Sequence, residues 1–263
     1  MKTTLEKPVI EKAKFPQFKR IKLSYKEYKE KTKSIEANRE IDLSHVARMT
    51  AAVISDGISR DIVLGKIKGS PILYRLDGQH LGETLVAMEL QEIDCRVFEH
   101  ETKESMVLQM INLNNNSKGW KTIDYVNAWT WLSEINKKFT DYKILKAALK
   151  RSEKMQETVI IMAYSQDCNR IEMSKKVKKG GFKIKSEKIG IQLIKQIEEC
   201  NQYIKSSRSA NQALITLMLD TDYKYNHEVF KKKLAKYPIL VKDANSEKNE
   251  GRILIELNNI LQA

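Results

Sequence analysis

Short apolar runs in the first half of the chain predict β-strands separated by polar turns. Residues 62–64 are β-branched or large and apolar, residues 72–76 are mostly so, and the two runs flank a glycine-containing turn; residues 92–99 predict a third strand. We expect the strand core to bury Ile62, Val63, Leu64, Ile72, Leu73, Val97 and Phe98.

Apolar residues at helical spacing surround these strands and dominate the rest of the chain. Residues 45–55 predict a helix with Ser44 as N-cap and Gly57 at its C-terminal end, and residues 83–90 and 102–112 predict two more. From residue 121 onward the period is helical, with a strand-like break only around residues 180–184. The chain is therefore predicted to be an α+β protein, a small sheet domain followed by a mainly helical domain.

A polar glycine turn, Asp77-Gly78-Gln79-His80-Leu81, lies between a predicted strand and a predicted helix. Such a turn directs backbone N–H groups and the positive end of the helix dipole toward one point, which favours an anion such as phosphate. An ordinary strand-to-helix loop explains the same spacing, and both interpretations stay open.

The order of motifs around this turn resembles that of the ParB/sulfiredoxin family of N-terminal domains. A helix ending at Gly57 comes before the turn, and the strand at residues 95–98 and the asparagine run at residues 112–116 follow it, so the likeness covers roughly residues 35–130. The resemblance implies domains at 1–34 (a basic segment), 35–120 (the ParB/sulfiredoxin-like domain) and 121–263 (helical). Leu81 stands where the family has an arginine.

In ParB-type proteins these motifs bind a nucleoside triphosphate and magnesium. Transferred residue by residue, the resemblance matches Gly78 and Asn114, and the predicted nucleotide site consists of Asp77, Gly78, Gln79, His80, Asn114 and Lys118. The arginine of the asparagine motif falls on Ser117, and the run also suits a polar loop that caps a helix starting near Thr122.

The missing arginines weaken any phosphate site, because charge-assisted hydrogen bonds are about twice as strong as neutral ones. His80 is then the only side chain of the turn that can become cationic, so we expect tighter nucleotide binding at pH 6 than at pH 8. Replacing Leu81 by arginine is expected to tighten binding further.

A net charge of +13 adds a second indication, because it is concentrated in two blocks. Residues 1–33 hold eleven Lys and Arg against four acids, and residues 143–188 hold thirteen against five. Local basic blocks favour a polyanion partner, DNA above all, although a solvated lysine face is the simpler explanation.

Residues 140–188 resemble the helical DNA-binding segment of ParB-like proteins, which implies a helix-turn-helix there. The predicted DNA contacts are the basic residues of this segment, Lys143, Lys146, Lys150, Arg151, Lys175, Lys176, Lys178 and Lys179. Because lysine dominates, backbone contact is favoured over base reading. The helices of residues 189–263 complete this domain or form a homodimer surface, and both alternatives stay open.

Cysteine, histidine and hydropathy patterns narrow the remaining classes. The three scattered cysteines offer no disulfide framework, and the four histidines lack the spacing of a zinc site. No apolar run is long enough to span a membrane. We therefore expect a cytoplasmic protein without a metal site. Sulfiredoxin-like thiol chemistry is disfavoured because Cys95 falls in a predicted strand.

These observations favour a ParB-like DNA-binding protein, and the resemblance suggests a phage or mobile-element source. The first alternative is a nucleotide-hydrolysing enzyme or nuclease that uses Asp77, His80 and Glu83 around the turn. The second is an interaction protein that keeps the fold without the chemistry, and Leu81 is the residue that favours it.

Overall fold

The computed structural model describes residues 17–115, 120–152 and 154–263. The chain divides into two compact units, Met1–Asn116 and Ser117–Ala263. The first unit contains all the strands of the described residues, and the second is built from helices. The predicted α+β fold class, a sheet domain followed by a helical region, is confirmed.

The sheet unit contains five strands in the spatial order β1-β5-β3-β4-β2. Antiparallel pairs join β1 to β5 and β3 to β4, whereas β5 runs parallel to β3 and β2 parallel to β4. The strands are β1 (Phe18–Leu23), β2 (Thr32–Ser34), β3 (Ile62–Ile67), β4 (Leu73–Asp77) and β5 (Ile93–His100).

Four helices accompany this sheet: α1 (Tyr25–Lys31), α2 (Leu43–Asp56), α3 (Gln79–Ala87) and α4 (Lys103–Asn115). The sheet core is made of apolar side chains from the central strands, α1 and α3, including Tyr28, Ile62, Leu64, Leu81 and Leu85. Among the predicted core residues, Ile72 and Val97 are only partly buried, whereas the other five are buried as expected.

One local prediction, the N-cap of α2, is corrected by the structure. Asp42, and not Ser44, caps α2, because Asp42 Oδ1 accepts hydrogen bonds from the backbone N–H groups of Ser44 (2.9 Å) and His45 (3.2 Å). Strands β1 and β2 also lie within the basic N-terminal segment, so the described part of that segment belongs to the sheet.

The helical unit contains nine α-helices within its described residues: α5 (Thr122–Leu132), α6 (Asp141–Arg151), α7 (Glu157–Ser165), α8 (Arg170–Lys178), α9 (Glu187–Cys200), α10 (Arg208–Leu219), α11 (His227–Lys236), α12 (Pro238–Ser246) and α13 (Glu250–Gln262). Residues 180–184 are irregular and contain no strand, contrary to the strand-like break expected there. The helices described in both units are all too short or too polar to cross a membrane.

Helix α7 forms the buried centre of the helical unit. Six consecutive residues, 159–164, are buried, and α7 packs against α6, α8, α9 and α10. The buried side chains of α8 are Met173 and Val177, and its other seven residues are half-buried or exposed. A helix buried all round therefore supports a neighbour whose charged face is open to solvent.

Candidate functional site

The glycine turn joins β4 directly to α3. Gly78 has a φ of 79°, a left-handed conformation that favours glycine, and its N–H donates to Asp77 Oδ1 at 2.7 Å. The backbone N–H groups of Gln79, His80 and Leu81 have no acceptor among the described residues. The turn thus has the open helix N-terminus that its sequence predicts.

The polar side chains of the turn are bonded to the chain segment that comes before α2. Gln79 Nε2 donates to the Arg39 carbonyl at 2.7 Å, and His80 Nε2 accepts from the Asp42 N–H at 3.1 Å. Both side chains are buried, and the His45 ring meets the His80 ring edge to face at 4.9 Å between centroids. Gln79 and His80 therefore hold the start of α2 against α3.

His80 does not supply the positive charge expected of it. Burial lowers its pKa, and the nearby Arg39 and His45 lower it further. Its Nε2 atom also accepts a hydrogen bond, which requires that this nitrogen carry no proton. Burial and the accepted hydrogen bond both favour the neutral ring, which argues against the expected increase in anion binding at pH 6.

Leu81 lies in the sheet core, with only 4% of its surface exposed. Tyr28 and Leu85 belong to the same apolar cluster. An arginine at this position would bring its charge into that cluster and not toward a phosphate at the turn, which corrects the expectation that such a substitution strengthens a nucleotide site.

The three side chains of the proposed hydrolytic site are bound to different partners. Glu83 pairs with the buried Arg75, whose Nε also donates to Thr32 Oγ1 at 2.8 Å, and Asp77 Oδ2 lies 3.7 Å from Arg60 Nη1. Asp77 and His80 line a common cavity, whereas Glu83 does not line it. Within the described residues, no cluster of three or more His, Cys, Asp or Glu could hold a metal ion.

Cys95 is buried in β5, and burial raises the pKa of its thiol to about 12. The neighbouring carboxylates of Asp94 and Asp61 act in the same direction. A thiol with such a raised pKa is not a nucleophile near neutral pH.

The cavity beside the turn has a volume of about 20 Å³. Asp77, Gly78, Gln79, His80 and Asn114 are among the residues that line it. Asn114 is buried and donates to the Met110 carbonyl at 2.8 Å, and Lys118 lies outside the described residues. A space of one or two water molecules does not fit a nucleoside triphosphate with magnesium.

The predicted DNA-contact residues of the helical unit lie in four separate surroundings. Lys143 Nζ pairs with Glu134 Oε1 at 2.7 Å, so its charge is already compensated. Lys150 and Arg151 line a pocket of about 340 Å³ that also contains Lys154. Lys146 is exposed on α6, and Lys175, Lys176, Lys178 and Lys179 belong to α8 and its C-terminal end.

Helix α8 forms one wall of a surface pocket of about 300 Å³, here called the α8 pocket. No acidic residue is among its described lining residues, which are Thr158, Arg170, Ile171, Ser174, Lys175, Lys178 and Arg208. Neither Lys175, Lys178 nor Arg208 has a carboxylate within 4.0 Å among the described residues. Their charges are uncompensated and lie on one concave surface.

Arg170 and Arg208 are the two contributors to this pocket that sequence reasoning missed. Arg170 Nη1 contacts Gln212 Oε1 at 2.9 Å and Glu250 Oε2 at 3.1 Å, which ties the first residue of α8 to α10 and α13. Arg170 lies within the basic block at residues 143–188. No sequence signal links Arg208 to this block.

A buried tyrosine fixes the other end of α8. Tyr142 Oη accepts a hydrogen bond from the Phe182 N–H at 3.2 Å and donates to the Val177 carbonyl at 3.0 Å. Lys176 is half-buried, and its carbonyl accepts from the Gly181 N–H at 2.8 Å. Helix α8 is thus anchored at its first turn by Arg170 and at its last turn by Tyr142.

The chain is similar in structure to known proteins, one of which is described below. No protein-family model matches this chain, and no curated protein matches it. Among solved structures, the chain is similar to one described as the C2221 form of a Pnob8-like ParB-N domain, with 12% sequence identity and a TM-score of 0.44. That match covers 94% of this chain and 96% of the other.

Proposed function

We propose that this chain is a DNA-binding protein of the ParB-like type whose helical unit contacts the phosphate backbone through α8. The observation that carries the proposal is the α8 pocket, a concave surface with three uncompensated cations and no acidic residue among its described lining residues. Phosphates are the partners that such a surface attracts most strongly.

The arrangement of α7 and α8 supports this assignment. Each helix has nine residues, four residues separate them, and α7 is buried beneath the exposed face of α8. In a helix-turn-helix the second helix enters the major groove while the first packs behind it. Helix α8 is accordingly proposed as the recognition helix.

The side chains on α8 favour binding without strong sequence preference. Lys175, Lys178 and Lys179 are exposed and suit phosphates, whereas Ile171 and Ser174 offer only an apolar contact and a single hydroxyl. Bidentate base reading depends mainly on Arg, Asn or Gln. The Arg170 guanidinium is already bonded to Gln212 and Glu250, so it is not a free reading group.

The glycine turn of the sheet unit is proposed to be a degenerate nucleotide-binding turn. It keeps the open N–H groups of α3, but the adjoining cavity of about 20 Å³ leaves it without the space for a triphosphate, although Arg39 and Arg60 line that cavity. Its polar side chains serve instead to join α2 and α3.

A salt-dependent binding titration tests the proposal. Fluorescence anisotropy with labelled duplexes of unrelated sequence compares the wild type, a Lys175→Gln/Lys178→Gln/Lys179→Gln variant and a control variant with equal charge loss. The control replaces Lys195, Lys232 and Lys242 by glutamine, three exposed lysines that line none of the pockets described here.

The slope of log affinity against log salt should become shallower by about 0.9 for each phosphate contact that the α8 variant loses. Unrelated duplexes should bind alike, since base reading would separate them by about 1–3 kcal/mol per mismatched pair. Equal slopes for the α8 variant and the control variant would contradict the proposal.

A further inference from the structure

Arg208, the first residue of α10, lines a second surface pocket in addition to the α8 pocket. This second pocket, here called the α10 pocket, has a volume of about 390 Å³ and lies between the start of α10 and residues 244–248. Lys205 and Lys248 also line it. Because one side chain borders both pockets, the two concave surfaces adjoin.

The charge of the α10 pocket is positive and largely uncompensated. Lys205, Arg208 and Lys248 are exposed, and none has a carboxylate within 4.0 Å among the described residues. Glu247 is the one acid among the described lining residues, and it lies 4.0 Å from Arg252. The α8 and α10 pockets together place five unpaired cations along one surface.

Hydrogen bonds beneath this surface hold both pockets in shape. Gln212 is buried, accepts from Arg170 and donates to Thr158 Oγ1 at 3.0 Å under the α8 pocket. Asn245 accepts from the Lys205 N–H at 2.7 Å and donates to the Tyr203 carbonyl at 3.0 Å beside the α10 pocket. A preorganised surface loses little conformational entropy when a ligand binds.

From these contacts we infer that Lys205, Arg208 and Lys248 form a second phosphate-contacting surface, continuous with α8 through Arg208. The inference rests on the proposed function, because its ligand is the backbone of the same DNA duplex. Helix α8 holds the phosphates that border its groove, and the α10 pocket holds phosphates beyond them. The protein then covers more of the duplex than a recognition helix alone.

The test uses the full chain with Lys205→Gln, Arg208→Gln and Lys248→Gln combined, beside the α8 variant and the Lys195/Lys232/Lys242 control. All three targets are exposed, so the fold should be retained, and the far-ultraviolet circular dichroism checks this. If the triple variant lost its helical signal, the three single variants would carry the same measurement.

The salt slope of the α10-pocket variant should be shallower than that of the control by up to about 2.7, the value for three lost contacts. Titrations against duplexes of graded length should show that this variant has a shorter footprint on the duplex than the control has, because only α8 still contacts phosphates. A slope and footprint equal to those of the control would overturn the inference and leave α8 binding intact.

Failure of the proposed function gives a different result. If the wild type binds no duplex, both the function and the inference fall. If the α8 variant binds DNA like the control while the α10-pocket variant binds it more weakly, the result contradicts the role of α8 and supports the α10 pocket as a phosphate-contacting surface.

Discussion

At the scale of single residues, Leu81 and His80 show how neighbouring side chains of one turn take different structural roles. Leu81 contributes apolar surface to the sheet core, whereas His80 accepts a backbone hydrogen bond from Asp42. Their burial makes both residues determinants of stability. Substitutions at these two positions therefore test the fold before they test any ligand.

Leu81→Arg should destabilise the sheet unit by about 3–5 kcal/mol, a cost typical of a buried charge without a partner. The matched control is Leu43→Arg, because Leu43 is 78% exposed and a surface substitution usually changes stability by less than about 0.5 kcal/mol. Urea denaturation measures both variants. Similar midpoints for the two would show that residue 81 can turn its side chain to solvent.

His80 should make the protein less stable in mild acid. Its folded-state pKa lies below the ordinary value near 6.5, so below that pH the unfolded chain binds the proton more readily than the folded chain does. The free energy of unfolding should therefore fall as the pH drops from about 7.5 to 5.5, and His80→Gln should reduce this decrease.

Histidine NMR titration supplies the direct measurement for His80, and His80→Gln assigns its resonance. Burial lowers the pKa of His100 as well, so the difference between wild type and His80→Gln, and not the wild-type curve alone, isolates the contribution of His80. An observed pKa of His80 at or above 6.5 would contradict the hydrogen-bonded neutral ring.

At the scale of elements, the position of α8 depends on Tyr142 of α6. Its hydroxyl bridges the last turn of α8 and the N–H of Phe182, and the ring is fully buried. The contact links a core side chain to the helix that carries the proposed DNA-binding lysines.

Tyr142→Phe should cost about 1–3 kcal/mol, because the buried Phe182 N–H loses its partner and the Val177 carbonyl loses one of its donors. Tyr203→Phe is the control, since the Tyr203 hydroxyl has no hydrogen-bond partner among the described residues. Thermal unfolding of both variants provides the measurement. A Tyr142→Phe variant as stable as Tyr203→Phe would show that water replaces the hydroxyl.

The central strands β3, β4 and β5 could be predicted from the sequence because their apolar residues, contiguous in β3 and alternating with polar residues in β5, lie between turns. Strand β1 mixes basic and apolar residues and pairs with β5, about seventy positions later in the chain. Long-range pairing leaves no local signal. The predicted N-cap of α2 was wrong for another reason. Asp42 and Ser44 both suit an N-cap, and the packing of the preceding segment favours Asp42.

At the scale of the whole molecule, the basic block at residues 143–188 proved less uniform than its charge count suggests. Lys143 pairs with Glu134 and Lys183 with Asp141, while Lys150 and Arg151 face a different pocket from α8. Conversely, Arg208 lines the α8 pocket, although about thirty residues separate it from α8 in the sequence. Sequence identified the charge, and tertiary packing determines which charges act together.

The two edges of the sheet carry a safeguard against self-association. Strand β2 has only three residues, and β1 exposes Lys19, Arg20 and Lys22. Unpaired strand edges recruit strands from other molecules unless they are short or charged. Two molecules meeting edge to edge at β1 would bring like charges together, so concentrated solutions of this protein should resist growth into sheet-like aggregates.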